Sequence, residues 1–267
     1  MTQASVGFQC PECVKGGAKT SPVVSFRDIR TSGRPIVTLT LIAVNVLAMI
    51  VVGIQGKSFM EGSGQLWEDG VLIGHGDVIT QTGFGFTRTA IGVAEGEVYR
   101  IVTGGFLHAG LLHLGMNMLL LYLLGAQLEP LLGRLRFFTL YLACLIAGSF
   151  GVLLVQPTSV TVGASGAIFG LMGAALAAQR LAPHRVALAN IGALIVVNLL
   201  LTFAVPNISA GAHIGGLVAG LIVGALVIWL DTKVPSALLG SALCLVITAA
   251  FVVGCIWAAN SWANPIL

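Results

Sequence analysis

The chain has 267 residues, 57% of them hydrophobic and only 9% charged, with a mean hydropathy of +0.98. A soluble domain carries about a quarter charged residues, so a water-soluble globular protein, a disordered chain and a coiled coil are all excluded. The 35 glycines are about twice the usual share, and a net charge of +3 leaves no footprint for nucleic acid.

Membrane spans are read as runs of about 17–25 mostly apolar residues between polar breaks. The first is expected at residues 35–53, after a charged tail over residues 1–34. No small-residue cleavage site precedes it, so it is expected to be retained and not removed as a signal peptide. Further spans are expected at about 107–128, 137–155, 165–180, 186–205, 212–230 and 236–258, making seven. The fourth and sixth are short and open in Gly-rich sequence, as do helices that begin inside the bilayer. The connection 55–105 is the only long one. Structureless loops of this length are uncommon, so short interfacial helices or a membrane-dipping hairpin are expected there, not a separate domain.

Orientation follows from Lys and Arg. With the N-terminus inside, cytoplasmic segments hold Lys15, Lys19, Arg27, Arg30, Arg34, Arg134, Arg136, Arg180, Arg185 and Lys233, against Lys57, Arg88 and Arg100 outside. Ten against three predicts a multi-pass protein of the cell membrane with a cytoplasmic N-terminus and an external C-terminus. Trp257 and Trp262 fit an interfacial aromatic belt at the last span's outer end.

Polar side chains inside spans are costly and usually functional or packed inward. His108, His113 and Asn117 open the second span, Ser165 the fourth and His213 the sixth. Those three spans run in the same direction, so all five residues are expected at one depth near the outer face. His113 and Asn117, four apart, share one helix face. Small residues recur at helical spacing as Gly166, Gly170 and Gly173, and again as Ala212, Gly216, Gly220 and Gly224. Such ridges let two helices approach closely and would bring Ser165 within reach of His213. A serine needs an adjacent base, and histidine is the usual one. His113, Asn117 and the Ser165 amide would supply donors for an oxyanion. No Asp or Glu lies in the fourth or sixth span, so the arrangement reads as a Ser–His dyad. A packing serine, inter-helix histidine bonds, a proton relay and a metal site built from the three histidines and Asn117 are the competing readings.

These residues resemble the rhomboid family of intramembrane serine proteases. The similarity runs from about Pro35 to Leu230 and rests on Gly163-Ala164-Ser165-Gly166, on His113 with Asn117, and on Ala212-His213 with Gly216 and Gly220. His108, and Glu129 in the loop after the second span, fit as well. The family's Trp-Arg pair is represented by Tyr99-Arg100. The resemblance implies an all-α membrane protein with a rhomboid-like six-helix core over residues 35–231, including the outer loop 55–105. Residues 232–267 would add a seventh C-terminal transmembrane helix. It implies Ser165 as nucleophile and His213 as base, with His113, Asn117 and the Ser165 amide as oxyanion hole and His108 and Gly163 in support. Gly166, Phe169, Gly216 and Gly220 would pack the helices, with Phe169 beneath the base. Transmembrane proteins in the bilayer are the implied substrates, cut where small or helix-breaking residues loosen the helix. No metal, cofactor or nucleic acid is implied.

Cys10 and Cys13 in the tail form a C-x-x-C pair with no other Cys or His nearby, half of what a structural zinc site needs. The pair resembles the last knuckle of an N-terminal zinc-binding segment in some rhomboid relatives. Cys144, Cys244 and Cys255 lie in spans and read as packing residues.

Overall fold

The computed structural model describes residues 34–83, 85–181, 190–234 and 236–263, with the paired backbone of Thr2–Gln3 and Phe8–Gln9. In chain order the elements are α1 (Ile36–Gly56), α2 (Gln65–Gly70), β1 (Gly76–Thr82), β2 (Gly85–Ile91) and α3 (Arg100–Thr103). The bundle continues with α4 (Leu111–Leu132), α5 (Arg134–Val155), α6 (Ser165–Leu181), α7 (Ile191–Ala204), α8 (Ala210–Lys233) and α9 (Ala237–Ala263). Among the described residues five helices are long and apolar enough to cross a membrane: α1, α4, α5, α8 and α9. At 1.5 Å per residue the shortest of them measures about 31 Å, the thickness of a hydrocarbon core.

Helix α5 is the hub. Phe137, Leu140, Tyr141, Cys144 and Leu145 are buried in one apolar core with Leu121, Leu124 and Leu128 of α4 and Ile168, Leu171 and Met172 of α6. Cys144, Cys244 and Cys255 are buried free thiols, as packing residues are. Helices α6 and α8 touch backbone to backbone. A methyl added to Gly216 would overlap the Gly166 carbonyl, and one on Gly220 the Gly170 carbonyl. The two small-residue ridges therefore do meet, which is how membrane helices gain contact when apolar transfer offers little.

Three boundaries differ from expectation. Helix α4 begins and ends about one turn later than the apolar run suggested. Gly110, at φ +144°, breaks the chain before it, so His108 sits on the approach to the helix and not in it. At the other end the helix runs through Glu129 and Pro130, placing Glu129 inside the fold and not in a loop. The Glu129 carboxylate accepts the Val37 N–H at 3.0 Å, the Thr38 N–H at 2.9 Å and the Thr38 hydroxyl at 2.8 Å. Those are two of the three N–H groups, Ile36 to Thr38, that the start of α1 leaves without intrahelical acceptors, since the Pro35 cap has none and Leu39 donates to its carbonyl.

The sixth span is not short: α8 has 24 residues. Ser209 caps its start by accepting the Ala212 N–H at 3.3 Å. Its last turn is held by Asp231, which pairs with Arg136 of α5 at 2.5 Å. The shorter helices are α6 and α7, of 17 and 14 residues. Residues 182–189, before α7, lie outside the described residues, as do Cys10 and Cys13.

The connection between α1 and α4 is built, not loose. Buried Arg100 donates to the Glu68 and Val71 carbonyls at 2.8 and 3.0 Å and pairs with Glu97 at 2.7 Å. Leu72 exchanges backbone hydrogen bonds with Thr161, tying this segment to the approach of α6. Beside the short helices α2 and α3 it holds an antiparallel β-ribbon, β1 against β2, with Val78 facing Thr89 and Ile79 facing Arg88. Its β-branched residues favour strand.

Candidate active site

Helix α6 begins at Ser165, so the site stands at a helix N-terminus, where the first N–H groups lack intrahelical acceptors. The approach is fixed by Gly163, whose N–H donates to the Gly104 carbonyl at 2.9 Å. Gly163 has φ +119°, a conformation only glycine adopts readily. A Cβ there would lie 2.8 Å from both Cε1 and Nε2 of His113 and 3.8 Å from Ser165 Oγ. The glycine thus lets the His113 ring come up against the backbone beside the serine.

His213, closing the first turn of α8, is buried, and its Nε2 lies 2.8 Å from Ser165 Oγ. At that distance an imidazole can take the hydroxyl proton. The Phe169 ring lies one turn below Ser165 and stacks on His213, with centroids 4.0 Å apart and planes inclined by 18°. The other ring nitrogen, Nδ1, is 2.7 Å from Thr202 Oγ1 on α7. Nothing in the sequence sets Thr202 apart, because a threonine in an apolar span commonly bonds the carbonyl four residues back. It does that too, donating to Asn198 O at 2.7 Å.

The remaining candidates gather on the α4 side. The Ala109 N–H donates to His113 Nδ1 at 3.4 Å. In the neutral ring this leaves Nε2 carrying the proton, and Nε2 is the atom beside Gly163. Asn117 is buried and donates through Nδ2 to the His113 carbonyl at 2.8 Å, so it braces the turn that carries His113. His108 packs edge-on against His113 with ring centroids 5.0 Å apart. Among the described residues no group of three His, Cys, Asp or Glu is placed to hold a metal ion. A narrow crevice, half open to solvent, runs beside Gly163 and Gly166 and is lined by Gly104, Gly105 and Gly148 together with Leu72, Leu145 and Val152.

The family model described as the Rhomboid domain matches residues 95–230, half of the chain, and that stretch holds every residue of this site. The chain belongs to the rhomboid family. It is 34% identical over 198 residues to the rhomboid protease GluP of Bacillus subtilis, covering 73% of this chain and 35% of that protein. It is 38% identical over 140 residues to the RHOMBOID-like protein 5 of Arabidopsis thaliana, covering 49% of this chain and 45% of the relative. RHOMBOID-like protein 4 of the same plant is 30% identical over 207 residues, covering 69% and 52% of the two chains. The matched stretch thus spans between a third and about half of these relatives' lengths. With its five long apolar helices, this rhomboid chain is a multi-pass membrane protein.

Proposed function

We propose that this rhomboid chain is an intramembrane serine endopeptidase that cuts transmembrane proteins in or near their spans. The observation that carries the reading is the 2.8 Å contact between Ser165 Oγ and His213 Nε2 in a part-buried, glycine-packed setting. Ser165 Oγ attacks the scissile carbonyl while its proton passes to His213 Nε2. The carbonyl oxygen, now negative, is met by the Ser165 N–H at the start of α6 and by the His113 Nε2–H, with Asn117 and His108 holding the His113 turn. His213 then gives its proton to the leaving amine as the C–N bond breaks, leaving an acyl-serine. Water, deprotonated by His213, releases the acid and restores the serine. The narrow crevice at Gly163 and Gly166 supports substrates with a small side chain next to the cut. No cofactor takes part.

Residues 35–231 would form the catalytic core and residues 232–267 an appended helix. The ten-to-three Lys and Arg bias supports a place in the cell membrane, N-terminus cytoplasmic and C-terminus external. An impermeant thiol reagent should label a cysteine engineered after Trp262 in intact cells. Labelling only after lysis would mean six spans or the opposite orientation.

The activity test is incubation of the purified protein with a single-span transmembrane substrate and location of the cut by mass spectrometry. Ser165→Ala and His213→Ala should each abolish cleavage in folded protein, because the two act as one unit. A fluorophosphonate should label the wild type and not Ser165→Ala. Cleavage by Ser165→Ala ends the serine-protease reading.

A further inference from the structure

Beyond the serine and the histidine, the site holds a third side chain that faces the base from a different helix. Thr202 Oγ1 sits 2.7 Å from His213 Nδ1 and 2.7 Å from the Asn198 carbonyl oxygen. We propose that Thr202 is a positioning residue that selects the His213 tautomer able to accept the Ser165 proton. The proposal rests on the reading of His213 as the base.

Counting protons decides the direction. A threonine hydroxyl has one proton and can accept as well, whereas a carbonyl only accepts. If Thr202 donates to Asn198 O, its oxygen accepts Nδ1–H from His213. Nε2 is then a lone pair, and the Ser165 hydroxyl donates to it. That chain makes three hydrogen bonds. In the reverse arrangement Thr202 donates to Nδ1 and Nε2–H points at Ser165 Oγ. Only two bonds form along the chain, and the serine proton has no protein acceptor among the described residues. The nitrogen left as acceptor is set by the bond the other nitrogen makes, and buried polar groups settle where the most partners are met. Thr202 thus does for this ring, through a neutral oxygen, the orienting part of what a buried carboxylate does in a triad.

The location adds a consequence. Helix α7 buries only Ile191, Ile195 and Thr202. The residue that orients the base is therefore one of the three fully buried residues of this short helix, whose Leu194 and Leu199 also pack on the core. The base acts from α8, yet its second nitrogen is held by α7.

The test compares Thr202→Val, which keeps the shape and removes the oxygen, with Thr202→Ser, which keeps the oxygen. Two readouts are taken on the purified full chain: kcat and KM on the transmembrane substrate, and ¹⁵N NMR of histidine-labelled protein, with His213 assigned by difference from His213→Ala. Thr202→Val should lower kcat about tenfold, the worth of one net hydrogen bond, and leave KM unchanged. It should also shift His213 away from the Nδ1–H form, while Thr202→Ser restores both. Wild-type kcat and an unchanged His213 spectrum in Thr202→Val would overturn the proposal. So would equal losses in the Val and Ser variants, which mark a packing role. If Ser165→Ala is inactive while Thr202→Val is normal, only this proposal fails. If Ser165→Ala cleaves, the dyad reading fails with it.

Discussion

The ring of Phe169 stacks on the imidazole of His213 at a centroid distance of 4.0 Å, within 18° of parallel, so the base rests on a flat apolar face supplied by the helix that carries the serine. Nucleophile and base are thereby indexed to each other twice, once through the hydrogen bond and once through the stacked rings. Ring stacking is worth about 0.5–1.5 kcal/mol beyond burial. Phe169→Leu keeps most of the apolar volume and loses the flat face. It should lower kcat about three- to tenfold with a small change in melting temperature. Phe169→Tyr should stay near wild type. Parallel measurements of turnover and melting decide it; a Leu variant with wild-type turnover means the ring is packing alone.

The backbone contact between α6 and α8 predicts a steep penalty for one methyl group. Gly216→Ala drives its Cβ into the Gly166 carbonyl, next to Ser165. Overpacking of this kind costs about 1–3 kcal/mol, so both melting temperature and cleavage should fall. Gly115, on the same end of α4, has open space where a Cβ would stand. Gly115→Ala should fold and cleave like wild type. Equal behaviour of the two variants would sink the account of the ridge.

The oxyanion donors should be separable from the nucleophile by magnitude. Removing one such donor costs about 10²–10³ in turnover. With the Ser165 amide still present, His113→Ala is expected near the lower end, above the Ser165→Ala background and with KM little changed. Asn117 acts one step back, through the His113 carbonyl, so Asn117→Ala should lose less turnover than His113→Ala. If Asn117→Ala cleaves at the full rate, Asn117 belongs to packing.

The α1–α4 connection should loosen in acid. Burial opposes ionisation of Glu97, but the Arg100 side chain, the Gly92 amide and the Tyr99 hydroxyl outweigh it and hold the carboxyl below its usual range. A group whose folded pKa is depressed stabilises the fold above its unfolded value, and that contribution disappears as pH falls through the folded value. Melting temperature should therefore drop from about pH 5 down to about pH 3, and Glu97→Gln should flatten that part of the profile while lowering stability at neutral pH. A wild-type slope retained in Glu97→Gln assigns the acid sensitivity to other groups.

Legibility in the sequence followed the physics of each signal. Ser165 and His213 stood out because polar side chains are rare in apolar runs and because small residues at four-residue spacing announced a close helix pair. Thr202 was invisible, since its hydroxyl satisfies a local carbonyl and the second bond to His213 exists only in three dimensions. Glu129 looked like the end of a span because a charge followed by proline normally ends one. Its partners lie 91 and 92 residues earlier, on α1. The length of α8 was hidden for the same reason, with Asp231 neutralised by an arginine 95 residues away. Periodicity reads what a helix does with itself and its solvent; long-range pairing of single charges leaves no period to read.

The clasp between Glu129 and the start of α1 has a bearing on biogenesis. Synthesis runs from the N-terminus, so α1 enters the bilayer well before Glu129 has been made. Until then the Val37 and Thr38 amides have only water or lipid head groups as partners. The first helix of the bundle is thus finished only by the last turn of the second long one, α4. A chain that stops short of α4 therefore leaves the start of its first helix without the carboxylate that completes it.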